Sequence, residues 1–258
     1  MTLGYASAAD GVRIAFRDEG PRERPAVVFC SMGTAAMGVW DSVAIPLSAN
    51  WRVILHDRRG DGDSDPGVGE SHAFANYARD AVSVLDHVGC DAAFVCGMAF
   101  GARVALHIAL GAPARIHGLM LFDATGGPPA PEAERKAGSA VAAQLRAEAG
   151  LPPMTVDPRW FARRDPTVAG LSRHAFANLP AWTPGLATIG VPTLVACGEQ
   201  DPNFAGATRL AREIPGAAFE PMRMTGHASI LDRPDLVLSL MADFLGQAVE
   251  ISSHSRQA

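Results

Sequence analysis

The chain has no apolar run long enough to cross a bilayer, no basic cluster, and no cysteine pair at metal-ligand spacing. Each absence removes a class. Without a membrane-length run the chain reads as globular rather than membrane-embedded. With 22 Lys and Arg against 27 Asp and Glu, a net charge of −5, it has no electrostatic footprint for nucleic acid or an anionic membrane surface. Met1 to Asp10 lacks a basic region followed by an apolar stretch, so no secretory signal is expected. Cys30, Cys90, Cys96 and Cys197 are few and scattered, and three of them end apolar runs. They read as buried free thiols, as in a reducing cytoplasm. There is no internal repeat and no linker between separate domains. What is present, over 258 residues, is 48% hydrophobic and 19% charged, enough to bury a sizeable core.

That core is written as alternating elements. Tyr5–Ala8 and Val12–Arg17, split by Ala9-Asp10-Gly11, predict an antiparallel hairpin. Ala26–Cys30, Trp51–His56, Ala92–Cys96, Gly118–Phe122 and Val191–Cys197 are continuous apolar runs, the pattern of strands covered on both faces. Ala217–Met222 is a weaker strand. Phe74, Tyr77, Ala81, Val82, Leu85 and Val88 recur at helical spacing, and a last helix starts at Pro234 and runs through Leu245. The polar tail from Ile251 to Ala258 is expected to fray. Strands alternating with helices predict an α/β fold, one domain over 1–258 with a mostly parallel sheet of about eight strands.

One stretch breaks the alternation. From Gly126-Gly127-Pro128-Pro129 to about residue 188 there is no convincing strand, only helical stretches at Glu132–Ala149 and Thr167–Leu179 between prolines. An insertion of this size predicts a helical cap over a site. Met154, Trp160, Phe161, Phe176 and Trp182 would give it an apolar underside, either lining a pocket or packing the cap onto the body. We take Met154, Trp160, Phe161 and Trp182 as candidate substrate-binding residues, around an enclosed pocket for a small, mostly apolar molecule.

The cap's expected target is the turn after the Ala92 strand, Gly97-Met98-Ala99-Phe100-Gly101. With serine at the third position this would be G-x-S-x-G, a strained strand-to-helix turn that exposes one side chain above the sheet. The glycines leave room for the neighbouring strand and helix. Here the presented side chain is a methyl group. Two further motifs follow: Gly198-Glu199-Gln200-Asp201-Pro202 after the Val191 strand, and Thr225-Gly226-His227-Ala228 after the Ala217 strand. Nucleophile position, acid, histidine is the order of a Ser-His-Asp triad on this kind of sheet, with a histidine to carry protons and a carboxylate to orient it. Asp123, ending another strand, is the rival acid. The remaining histidines read as structural or solvent-facing.

By these motifs the chain resembles the α/β-hydrolase superfamily over nearly its whole length. Asp57-Arg58-Arg59-Gly60-Asp61-Gly62-Asp63-Ser64 matches the superfamily's D-x-R-G-x-G-x-S loop, with Asp61 where histidine is common. Ser31-Met32-Gly33-Thr34, leading to Val39-Trp40-Asp41, is similar to the oxyanion loop of the 3-oxoadipate enol-lactonase group. The resemblance implies backbone N–H groups of Met32 and Phe100 as oxyanion donors, a small ester or lactone as substrate, hydrolysis as parent chemistry, and no metal or organic cofactor. Ala99 leaves three readings open: a serine hydrolase in inactivated, substrate-trapping form; an enzyme using only the His227–Asp201 dyad, as a lyase or cofactor-free oxygenase; or a non-catalytic binding protein. Cys96, expected inside its strand, and Ser31, in the oxyanion loop, are not convincing replacements.

Overall fold

The computed structural model describes residues 2–161, 171, 175–176 and 179–254. Eight strands form one sheet: β1 (Gly4–Ser7), β2 (Arg13–Glu19), β3 (Ala26–Cys30), β4 (Arg52–His56), β5 (Ala93–Met98), β6 (Ile116–Phe122), β7 (Thr193–Gly198) and β8 (Ala218–Met222). Their order is β1-β2-β4-β3-β5-β6-β7-β8. The hairpin β1–β2 is antiparallel and joins β4 antiparallel; from β4 to β8 every pairing is parallel. The expected hairpin and parallel strands are present, displaced by one or two residues at their ends.

Among the described residues there are seven α-helices: α1 (Asp41–Leu47), α2 (Phe74–His87), α3 (Phe100–Gly111), α4 (Glu132–Glu148), α5 (Phe204–Glu213), α6 (Ser229–Asp232) and α7 (Pro234–His254). Alternation along each strand sorts the core into two layers. Val28, Cys30, Ile54 and Val95 face one side, packing with Tyr77, Leu85, Leu106 and Leu210 of α2, α3 and α5. Val27, Phe29, Leu55 and Cys96 face the other, with Val43 and Leu47 of α1 and Val237, Met241 and Leu245 of α7. With both faces covered, β3 and β5 have no exposed residue. All four cysteines are buried with free thiols.

The structure extends the last helix to His254, into the stretch expected to fray; residues 255–258 lie outside the described ones. Between β6 and β7 lies an insertion with no strand among its described residues. Its first helix is α4. The second, expected over Thr167–Leu179, lies outside the described residues except at Leu171, Ala175, Phe176 and Leu179. α4 has one face on the body of the protein. Gly138 abuts the carbonyl of Gln200, where a Cβ would stand 2.0 Å from the oxygen. Ser139 Oγ accepts from the His227 N–H at 3.4 Å. Ala142 and Arg146 are buried on the same face. Among the described residues no helix is long and apolar enough to cross a membrane.

Candidate active site

The carboxyl ends of the parallel strands converge on one cavity, the usual ligand position in open α/β sheets. Among the described residues, four without glycine's freedom hold a positive φ: Thr34 (71°), Ala99 (52°), Asp123 (50°) and Met224 (54°). They follow β3, β5, β6 and β8 in turn. Such conformations cost on the order of 1–3 kcal/mol each and persist where surrounding contacts over-determine them.

At Ala99 those contacts are plain. The residue sits at φ 52°, ψ −110°, between the last residue of β5 and the first of α3. Its N–H donates to the Phe122 carbonyl at 2.9 Å. A Cβ on Gly97 would stand 2.4 Å from the Gly101 oxygen, and one on Gly101 would stand 2.0 Å from the Cys30 oxygen. Strand, helix and β3 therefore meet backbone to backbone, and the turn has no room to relax. Its methyl group lines the cavity, as do Met32 and Phe100. Among the described residues neither the Met32 nor the Phe100 N–H has a hydrogen-bond acceptor, so both remain available to a ligand oxygen.

His227 and Asp201 meet beside it. Nδ1 of His227 lies 2.8 Å from Oδ2 of Asp201. Asp201 is buried, and its Oδ1 accepts from the backbone N–H and the Nδ2 of Asn203 at 2.9 and 3.0 Å. Asn203 Oδ1 in turn accepts from the Ala130 N–H at 2.7 Å, which fixes the amide's orientation. Asp123, the rival acid, also lines the cavity but does not hold the histidine. Its oxygens accept from the N–H groups of Gly198 (3.3 Å) and Ser229 (2.8 Å). Burial first, then the charge of Asp201, raises its pKa. Asp123, Cys197 and Asp201 come close enough together to resemble a metal-ligand cluster, yet the two carboxylates' short bonds are to backbone, Asn203 and His227.

The second ring nitrogen has a partner that sequence reading missed. Nε2 of His227 lies 3.1 Å from a terminal nitrogen of Arg135, on α4. A guanidinium only donates, so Nε2 presents a lone pair and Nδ1 carries the proton shared with Asp201. The sequence held one usable signal: Arg135 and Ser139 share a helical face that ends at Arg146, which donates to the Met224 carbonyl and to Asp232 beside the histidine.

The cavity measures about 820 Å³. Of the insertion's aromatic residues it takes Phe176, together with Leu179. The four candidates singled out from sequence lie elsewhere. Trp160 and Phe161 pack against the layer built on α1 and α7, and the Trp160 carbonyl accepts from the Ala36 N–H. Trp182 lies over Gly126 and Gly127 under the guanidinium of Arg209, with its indole N–H bonded to Glu213. Met154 is 44% exposed. Aromatic bulk was used to seat the insertion, because Gly126 and Gly127 open a flat surface that Trp182 fills. The lining is also more charged than expected: Arg103, Asp123, Glu132, Arg135 and Lys136 all reach it. Neither substitute nucleophile is credible, since Cys96 is fully buried with its pKa pushed well up, and Ser31 Oγ is buried without a partner.

The sequence model of the alpha/beta hydrolase family matches residues 27–240. The chain belongs to the alpha/beta hydrolase family. Among curated relatives it is 29% identical to RutD of Variovorax paradoxus, across 88% of this chain and 94% of that one. It is 24% identical to 3-oxoadipate enol-lactonase 1 of Acinetobacter baylyi, across 91% and 94%. Among solved structures, the enol-lactonase of Burkholderia xenovorans LB400 shares the fold at a TM-score of 0.77 and 23% identity, covering 94% of this chain and all of that one. Hydrolase is thus the class of this α/β-hydrolase scaffold, and its relatives include a lactonase.

Proposed function

We propose that this chain carries the substrate site of a small-ester or lactone hydrolase in a form that holds its substrate and lacks the attacking group. The observation that supports this is the position of Ala99. Its strained turn is retained while the His227–Asp201 pair stands 2.8 Å apart at the same cavity. Nothing about a methyl group requires that strain, and an ordinary helix start would relieve it.

With a serine at position 99 the parts would act in order. The hydroxyl would attack the carbonyl and form an acyl-enzyme, losing its proton to His227 Nε2. Asp201 would hold the imidazole in its tautomer and stabilise the imidazolium. The Met32 and Phe100 N–H groups would receive the negative charge developing on the carbonyl oxygen, with no reorganisation needed at that moment. Water activated by His227 would then release the acid. With alanine, only binding and polarisation remain.

The test is Ala99→Ser with an activated ester. Loss of a triad nucleophile costs on the order of a million-fold in turnover in a well-studied serine protease, so restoration should be large and marked by a burst of acyl-enzyme. A folded Ala99→Ser protein with no gain sinks the proposal. A second reading, general-base chemistry by the His227–Asp201 dyad alone, is favoured by the 2.8 Å contact that keeps the proton on Nδ1 and leaves Nε2 as the proton acceptor. It requires activity in the Ala99 form, lost in His227→Gln and little changed by Ala99→Ser.

A further inference from the structure

Among the described residues, the charged groups lining the cavity do not balance locally. Glu132 is paired with Lys136 at 2.7 Å. Asp123 is held by two backbone N–H groups. Two guanidinium groups remain, and among the described residues neither touches a carboxylate. Arg103, on α3 one turn past Ala99, is 5% exposed and donates only to neutral oxygens: Thr183 Oγ1 and the carbonyls of Thr125 and Gly127. Among the described residues, Arg135 has His227 Nε2 as its one polar partner, and its own Nε is buried without any. Arg103 is a buried cation with no carboxylate against it among the described residues, and burial pulls its pKa down. Such a site gains most from a ligand that brings a negative charge.

Arg135 also stands in the wrong place for catalysis. Its nitrogen, 3.1 Å from His227 Nε2, takes up the lone pair that must receive a proton from serine or water. The base cannot work until this guanidinium moves. Arg135 projects from a helix, on a long side chain with several low-energy rotamers, so movement needs only a better acceptor than an imidazole nitrogen. A carboxylate is that acceptor, because it can take two N–H groups at once.

We propose that Arg135 is a specificity gate: in the free protein it caps His227, and a carboxylate on the bound molecule draws it off, with Arg103 adding to the attraction. The ligand class is then a small carbonyl compound bearing a free carboxylate a few carbons from the reacting centre. This rests on the hydrolase reading for its catalytic half and on geometry alone for its binding half. The gate acts by differential affinity, tight for anionic molecules and self-blocking for neutral ones.

Two measurements separate the halves. The first uses the chain as it is. Calorimetric titration with glutarate should show binding that Arg135→Gln weakens at least tenfold and Arg135→Lys weakens less. Equal binding in all three, or none in any, overturns the gate. The second uses Ala99→Ser with two esters of similar length, the mono-4-nitrophenyl ester of glutaric acid and 4-nitrophenyl pentanoate. The anionic ester should be preferred at least tenfold in kcat/KM. Adding Arg135→Gln should cut kcat/KM for the anionic ester, mainly through KM, and raise it for the neutral one, because His227 is uncovered. A parallel fall on both esters would make Arg135 part of the scaffold and end the proposal. No turnover of either ester counts against the hydrolase reading, and glutarate binding then decides the gate.

Discussion

Asp201 reaches His227 Nδ1 at 2.8 Å, whereas Asp123, at the end of the neighbouring strand, commits its two oxygens to the N–H groups of Gly198 and Ser229. The two carboxylates are close enough for one to raise the pKa of the other, yet their tasks are distinct. One holds the imidazole of His227. The other ties the start of the acid loop to α6, just past the histidine.

Separate substitutions should therefore give separate phenotypes. In an Ala99→Ser background, Asp201→Asn should lower kcat on the order of ten-thousand-fold, the loss known for a triad aspartate whose histidine is left in the wrong tautomer. Its stability should change little by comparison. Asp123→Asn should lower the urea midpoint and cost activity less. Steady-state kinetics and urea titration of both variants check this, and a reversed pattern would make Asp123 the acid.

Gly101→Ala should damage the fold before it damages chemistry. The added Cβ would meet the Cys30 oxygen at 2.0 Å, a backbone atom that cannot swing away. Overpacking of this kind costs about 1–3 kcal/mol or more. Urea unfolding should show a lower midpoint at unchanged slope, with near-wild-type stability in Gly190→Ala as the control for a position with open space and no positive φ.

Arg146→Met tests how the histidine loop is held. Arg146 Nη2 lies 2.8 Å from Asp232, both side chains are nearly inaccessible, and Asp232 also accepts the Gly226 N–H at 2.7 Å. Breaking one side of a buried ion pair costs about 3–5 kcal/mol, because the partner is left charged and unpaired. The variant should unfold earlier and, where folded in the Ala99→Ser background, should turn over more slowly with a modest change in KM. The double change Arg146→Met, Asp232→Leu should recover part of the stability and none of the activity.

Acid should weaken the fold through its buried histidines. Burial lowers His56 to about 4, and also lowers His72 and His107. The unfolded chain binds those protons near the ordinary pH 6.5, the folded chain only lower, so stability rises with pH between about 4 and 6.5 and is lost as pH falls. Asp57, raised to about 6 by burial, works in the opposite direction over part of the same window. A difference curve isolates one group: the stability of the native chain minus that of His56→Gln should fall by up to about 1.4 kcal/mol per pH unit on acidification. A flat difference would mean that His56 is not neutral in the folded state.

Much of this architecture is legible in the sequence because each strand from β3 to β7 is covered on both faces, and such strands must be written as unbroken apolar runs. The turn at Ala99 is legible because only glycine fits at positions 97 and 101. The short helix α1 is not, since it carries Pro46 and holds its place through Val43, Ala44 and Leu47 packing on α7, two hundred residues away in the chain. The lining of the cavity is legible only in part. Trp160, Phe161, Trp182 and Met154 were candidates by chemistry, and the cavity took Phe176 and a set of charged residues instead. Which side of an insertion faces inward depends on how its first helix lands, and α4 lands with Arg135, Ser139 and Arg146 on the body.

Asn203 gives the insertion and the base a common fastening. Its Oδ1 holds the Ala130 N–H at the insertion's start, while its Nδ2 holds Asp201 and lies 3.1 Å from His227 Nδ1. Lifting the insertion away from the sheet therefore releases a brace on Asp201, and through Asp201 on the imidazole it holds. By linkage, whatever ligand draws the insertion down must stiffen the imidazole, and whatever fixes the imidazole must favour the lowered insertion by the same free energy. A molecule arriving under the insertion would thus meet a base whose rigidity depends on that arrival.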